Sequence, residues 1–237
     1  MKRLLRANNR FHPARSSLLA SYLSLPGTSG NYASSPDSAA ASIVGDIDIR
    51  VKAALNDWTP ANSAIFVAKF ASNTTRSYAL QINTGSTGRL TLYTSPDGTS
   101  GNQVSGVSTA AVGAADAADI WIRATLDVND GAGNRVYTFY TSTDGDSWSQ
   151  LGDVVTTAGA TTIHDNNSIL EVGAFITGTS GLIAGKIYLA QVYSGIGGTL
   201  VADFDATRSL VRQTYVAGST GEVWTINRSG ATPAAIV

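Results

Sequence analysis

Cysteine is absent from this 237-residue chain, which excludes thiol nucleophiles, thiolate metal sites and a disulfide framework together. Histidine is scarce: His12 and His164 leave little room for a histidine-based metal centre or a catalytic triad. Charged residues make up 14% of the chain against a usual ~25%, which argues against disorder, coiled coils and long solvated helices. Glutamate occurs only at Glu171 and Glu222. No stretch approaches the roughly 18 apolar residues that a membrane-spanning helix requires. What remains is a chain 43% hydrophobic, with 24 Gly and 9 Tyr, long enough to bury roughly 70% of its unfolded surface without a metal or disulfide staple.

The commonest ordered pattern is alternation with a period of two. In Asp46–Leu55, Ile47, Ile49, Val51, Ala53 and Leu55 share one face, while Asp46, Asp48, Arg50 and Lys52 share the other. Such a segment predicts a strand with one dry and one wet side. The same pattern recurs over Ile120–Val128, with Trp121, Arg123, Thr125 and Asp127 opposite the apolar stripe. Shorter strand candidates are Tyr22–Leu25, Ile65–Phe70, Tyr78–Ile82, Leu90–Tyr93, Val136–Thr141, Trp148–Leu151, Leu170–Phe175, Lys186–Tyr193, Leu200–Asp205 and Val223–Asn227. Turn-forming clusters separate them, and Asn83–Gly88, Asn129–Asn134 and Thr143–Ser147 read as hairpin links. A helical turn is expected only near Ala114–Ala118. About a dozen strands predict an all-β fold of two antiparallel sheets packed face to face. Thr207–Gly221 lacks alternation and reads as a long loop before a last strand.

Charge is unevenly spread. The formal net charge is −1, yet five of the 16 basic residues (Lys2, Arg3, Arg6, Arg10 and Arg15) lie in the first fifteen positions with no acid among them. The rest carries 11 basic against 17 acidic side chains. Residues 1–20 therefore read as a basic arm on an acidic body, residues 21–237 as one domain, and the five cations as a partner-docking segment. A nucleic-acid role is disfavoured, because a duplex binder usually carries a basic face on its folded body as well. The cations also interrupt any apolar core of a signal peptide, so a chain made in a cytoplasm and not exported by a cleaved signal is expected.

Several segments together resemble a known family: Tyr22–Gly27 with Tyr32–Pro36, Gly45–Lys52, Tyr140–Trp148 with its Asp-Gly turn, Gly185–Tyr193, Asp203–Asp205 and Gly221–Ile226. They are similar to concanavalin A-like (laminin G-type) jelly rolls, in particular those of the virions of tailed bacteriophages of actinobacteria, of the minor tail protein type. The resemblance implies a jelly-roll sandwich over about residues 21–227, with Gly185–Tyr193 returning beside the entry strand. It also implies a non-enzymatic virion component, present in several copies, contacting other virion proteins and a host-surface glycan. A capsid decoration protein, a carbohydrate-binding module and a glycoside hydrolase are the alternatives.

The hydrolase alternative needs two carboxylates roughly 5–10 Å apart across the scissile bond. The family's hydrolase branch supplies them as Glu-x-Asp-x-x-Glu, and that spacing is missing here. Asp46 with Asp48, and Asp203 with Asp205, do share strand faces, and a solvated face accounts for both pairs. No Gly-x-Ser-x-Gly elbow exists, and His164 sits in a loop-like context. Laminin G-type domains often hold calcium, for which Asp127, Asn129 and Asp130 are the candidate ligands, although Asn-Asp-Gly is also hairpin chemistry. No cofactor is expected. Among the four Trp, Trp121 and Trp148 are the candidates for stacking on sugar: one lies opposite its strand's apolar stripe and the other follows a hairpin tip.

Overall fold

A computed structural model describes residues 21–209 and 213–237. The basic arm, with Lys2, Arg3, Arg6, Arg10 and Arg15, lies outside the described residues. In chain order the strands are β1 (Leu23–Pro26), β2 (Tyr32–Ser35), β3 (Ile47–Leu55), β4 (Ala64–Phe70), β5 (Arg76–Ile82), β6 (Arg89–Thr94), β7 (Val104–Ala111), β8 (Ile120–Asp127) and β9 (Asn134–Ser142). They continue as β10 (Ser149–Gln150), β11 (Val155–Ala158), β12 (Leu170–Val172), β13 (Ala184–Ser194), β14 (Thr199–Asp205), β15 (Tyr215–Ala217), β16 (Val223–Asn227) and β17 (Ala235–Ile236).

Two antiparallel sheets result. The nine-stranded sheet runs β10-β9-β8-β3-β13-β1-β17, with β11 also paired to β9 and β14 to β13. The eight-stranded sheet runs β15-β16-β2-β12-β4-β5-β6-β7. The long strand β13 lies between β3 and β1, so the segment Gly185–Tyr193 does return beside the entry strand. This is the two-sheet antiparallel sandwich that the alternation predicted, in the jelly-roll form that the resemblance implied.

The core forms where the apolar stripes meet. Ile47, Ile49 and Val51 of β3 and Ile122, Ala124 and Leu126 of β8 face Leu80 and Ile82 of β5 and Leu90 and Leu92 of β6, all fully buried. Burial of such side chains contributes about 1.5–3 kcal/mol each. In β4 a bulge at Phe66 breaks the register with β5, so both Phe66 and Val67 join the core. Trp58 and Trp224 are core residues, each 1% exposed, and their indole N–H groups donate to the carbonyls of Ala118 and Asp203.

The structure departs from the sequence reading at several points. The segment read as a loop over Thr207–Gly221 contains β15, and Val223–Asn227 is followed by β17, which closes on β1. Near Ala114–Ala118 the expected turn does form, closed by an Ala118 N–H to Ala115 C=O bond. Most consequential, Asp48 and Asp203 do not lie on solvated faces: they are 0% and 1% exposed. Neighbouring arginines and loops cover both, which period-two alternation does not report.

Candidate functional site

The outer face of the nine-stranded sheet is built from the polar positions of the same strands that supply the core. Asp48 and Arg50 stand two apart on β3, and Arg123 of β8 lies directly opposite Arg50. Two facing arginines would repel, and Asp48 neutralises them. Its carboxylate accepts Arg123 Nε at 3.0 Å and Nη2 at 2.8 Å, and Arg50 Nε at 3.3 Å and Nη2 at 2.8 Å. The Gly197 N–H donates to it as well, at 3.1 Å. Five donors saturate a carboxylate that has about four lone-pair sites. Asp48 is therefore an anchor for cations, with no free oxygen to act as a base or nucleophile.

The anchored guanidiniums lie over aromatic rings. Arg50 Cζ is 4.3 Å from the Tyr193 ring centroid, and Arg123 Cζ is 4.9 Å from Tyr140 and 5.8 Å from Trp148. Farther along the same face, Lys52 stands over Tyr188 and Lys186 over Tyr22. Cation–ring contacts of this kind contribute about 0.5–1 kcal/mol at exposed sites and more when desolvated. Tyr193 hydroxyl donates to Gln191 Oε1, and Gln191 Nε2 donates to Asp203, which ties the row to β14.

Trp121 and Trp148, read from the sequence as sugar-stacking candidates, meet at one end of this row. Their rings lie edge to face, 6.3 Å apart at 82°, and both are partly exposed. The hairpin that brings Trp148 there is the expected Asp-Gly turn. Asp144 Oδ1 accepts the N–H groups of Asp146 and Ser147 and the Ser142 hydroxyl, and these bonds pull the Asp144 pKa down to about 2. Gly145, at φ +86°, presses its backbone onto the Trp121 ring, where a Cβ would come within 2.7 Å. Sequence reasoning missed Arg50, Arg123, Tyr140 and Tyr193. The available signal was their place on the non-apolar side of strands already identified.

The other carboxylate candidates are held apart in the same way. Asp46 accepts the Val128 N–H. Asp203 pairs with Arg208 at 3.2 Å and accepts Ser219 Oγ at 2.5 Å. Arg208 reaches Asp205 too. Glu171 is buried and accepts the N–H groups of Thr177 and Gly178, both at 2.9 Å; burial nevertheless raises its pKa.

In the loop considered for calcium, the candidate side chains are engaged with the backbone of the turn. Asp127 accepts the Asn129 N–H, and Asn129 Oδ1 accepts the Gly131 N–H. Asp130 accepts the N–H groups of Ala132 and Asn134 on one oxygen and the Asn134 amide on the other. These side chains serve as turn acceptors, which is the hairpin chemistry that Asn-Asp-Gly also predicts. Among the described residues no group of three His, Cys, Asp or Glu is placed to hold a metal, and no helix is long and apolar enough to cross a membrane.

No family model matches the chain, and no curated protein matches it. Solved structures do. The native heptameric SAP-like pentraxin of Limulus polyphemus aligns with 13% identity over 74% of this chain and 76% of that one, at a TM-score of 0.48. The CBM40 of the Ruminococcus gnavus IT-sialidase, bound to α2,3 sialyllactose, aligns with 11% identity over 71% of this chain and 89% of that one, at 0.47. Domains LG4-5 of the mouse laminin alpha1 chain align with 14% identity over 75% of this chain and 43% of that one, at 0.48. The chain's own strand order defines its class as a two-sheet antiparallel jelly-roll sandwich, and these likenesses are ones of fold.

Proposed function

We propose that the chain is a non-catalytic binding domain that takes a glycan on the outer face of its nine-stranded sheet, and that it works in a tailed-phage virion as a minor tail protein. The observation that carries the binding reading is the half-exposed Trp121–Trp148 pair beside Arg123 and Tyr140. Flat rings match the apolar faces of pyranoses, and the guanidinium edge donates to hydroxyls. Trp, Tyr and Arg are also the side chains that dominate binding energy at interfaces. The non-catalytic reading is supported by the engagement of Asp48, Asp203 and Glu171 with fixed donors. Host cell-wall polysaccharide is the expected ligand class, and its binding is expected to fall more than tenfold in Trp148→Ala. The Tm of that variant should stay within a few degrees of the parent. Unchanged binding by Trp148→Ala and by Trp121→Ala would remove this face from consideration.

A second observation supports the virion setting: Lys2, Arg3, Arg6, Arg10 and Arg15 with no acid among them. In this reading the arm docks on an acidic surface of another virion protein, in the tail or as a decoration on the capsid. Deleting residues 1–15 is expected to leave a folded sandwich that no longer enters particles. Arg3→Ala, Arg6→Ala and Arg10→Ala combined should weaken incorporation in a salt-sensitive way, with the deficit largest at low salt where the lost pairs are least screened. Truncated protein that enters particles normally would show that the sandwich makes the attachment.

A further inference from the structure

The opposite sheet carries a second concavity. On the outer face of the eight-stranded sheet, a groove of about 190 Å³ is lined by Phe70, Arg76, Gln81, Tyr93, Gln103 and Phe175, among others. Its apolar wall is the Phe70–Phe175 pair, stacked at 5.3 Å and 13°. Phe175 is held there by the loop after β12, in which Ile176 and Thr177 take left-handed backbone angles and buried Glu171 ties down the Thr177 and Gly178 N–H groups. The groove is thus a built feature, with a buried carboxylate fixing one wall from behind.

Arg76 is electrostatically unfinished. Its guanidinium lies 4.5 Å over the Phe70 ring, donates through Nη2 to Asn73 Oδ1 at 2.6 Å, and donates through Nη1 to Gln103 Oε1. Its Nε is buried with no hydrogen-bond partner. Every one of these neighbours is neutral, and among the described residues no carboxylate pairs with Arg76. Its pKa is lowered by burial. The contrast with Arg50 and Arg123, both closed on Asp48, is direct. A guanidinium nitrogen that is buried normally has an acceptor, because desolvating it without one is costly, and the buried Nε of Arg76 has none. Beside it, Gln81 is 7% exposed, and its one side-chain hydrogen bond among the described residues is a long one, 3.4 Å to the Tyr93 hydroxyl. Tyr93 is also pushed up by burial, which keeps its phenol protonated and able to donate.

We infer that this groove binds a small carboxylate carried on a hydroxylated ring, the size of a single sugar acid. The carboxylate supplies the countercharge that Arg76 lacks, Gln81 and Tyr93 meet ring hydroxyls, and the Phe70–Phe175 wall takes the ring's apolar face. The volume lies below the ~300–1,000 Å³ of sites for drug-sized ligands, which limits the occupant to about one ring. This site is separate from the Trp121–Trp148 face and does not depend on it.

Calorimetric titration of the full chain with glucuronate tests the inference, with glucose as its uncharged counterpart. Glucuronate is expected to bind at least tenfold more tightly than glucose, with an affinity that falls as salt rises. Arg76→Gln should abolish the preference, and Trp148→Ala should leave it intact. Gln103→Glu is the decisive variant, because it places a carboxylate of the protein's own beside Arg76 without enlarging the core. It should raise the Tm while eliminating glucuronate binding. No measurable glucuronate binding, equal affinity for glucose, or undiminished binding by Gln103→Glu would each overturn the inference. An Arg76→Gln protein that fails to fold leaves Gln103→Glu and the glucose comparison to decide.

Discussion

Asp48→Ala is expected to lower the Tm by about 6–12 °C, although Asp48 contributes nothing to the apolar core. Removing one partner of a buried ion pair typically costs about 3–5 kcal/mol, because the remaining charge is left uncompensated. Here two are left, Arg50 and Arg123, facing each other across β3 and β8. Their side chains are 21% and 14% exposed, so water relieves part of the cost and the lower end of that range applies. For a chain of this length each kcal/mol moves the Tm by roughly 2–4 °C. Asp48→Asn, which keeps the shape and an acceptor oxygen, should cost less. Replacing the whole set, as Asp48→Leu with Arg50→Met and Arg123→Met, should recover much of the loss, since apolar substitutes for a buried ion cluster are often neutral or stabilising. Thermal unfolding followed by circular dichroism checks the series. A change of a degree or two in Asp48→Ala would mean that solvent already screens the three charges. The triple variant also separates stability from function: it removes the cation over Tyr140 and Trp148, so binding on that face should stay weak even where the Tm recovers.

The same carboxylate shows how far the sequence could be read. Alternation located β3 and β8 to within a residue or so, because each has a side chain of opposite character at every step. It also placed Trp121 outside the core and Asp144-Gly145 at a hairpin tip. Alternation assigns a face, however, and says nothing of what covers it. Asp48 is buried by Arg123 from a strand 75 residues away, and Asp203 by Ser219 and Arg208 from segments after β14. The groove on the other sheet is less legible still. Phe70, Arg76 and Phe175 come from three separate segments, and only the fold brings them together.

Strands missing from the sequence reading have two physical causes. In β7 the buried positions are Gly106 and Ser108, while Ser105 and Thr109 are exposed, so small and polar residues occupy both faces and no apolar stripe is left. Strands β15 and β17 are three and two residues long, too short for a period to register. They form because β16 and β1 offer unpaired edges. Backbone pairing, and not side-chain pattern, makes them strands.

Gly106 supplies the other large effect. A Cβ at this position would lie 2.2 Å from Cγ and 2.6 Å from Cβ of Tyr137, a fully buried residue of β9 in the opposing sheet. Both are atoms near the backbone, so no swing of a flexible tip relieves the contact. Either β7 moves away from the core or Tyr137 leaves its place among the buried side chains. Overpacking of this kind costs about 1–3 kcal/mol and occasionally more, and a contact this short belongs at the upper end. Gly106→Ala should therefore lower the Tm by about 6–12 °C, and Gly106→Val should lower it further or yield insoluble protein. The cause can be isolated with a double-mutant cycle, since residues in contact couple whereas distant ones add. Tyr137→Ala alone should be destabilising through the cavity it leaves. In that background Gly106→Ala should cost less than it does alone, because the closest contacts, with the ring carbons of Tyr137, are gone while the 2.6 Å approach to its Cβ remains. Equal costs in the two backgrounds would place the role of Gly106 in backbone freedom. A coupled result would place it in the close approach of the two sheets, which leaves room at that point for the Tyr137 ring and for nothing else.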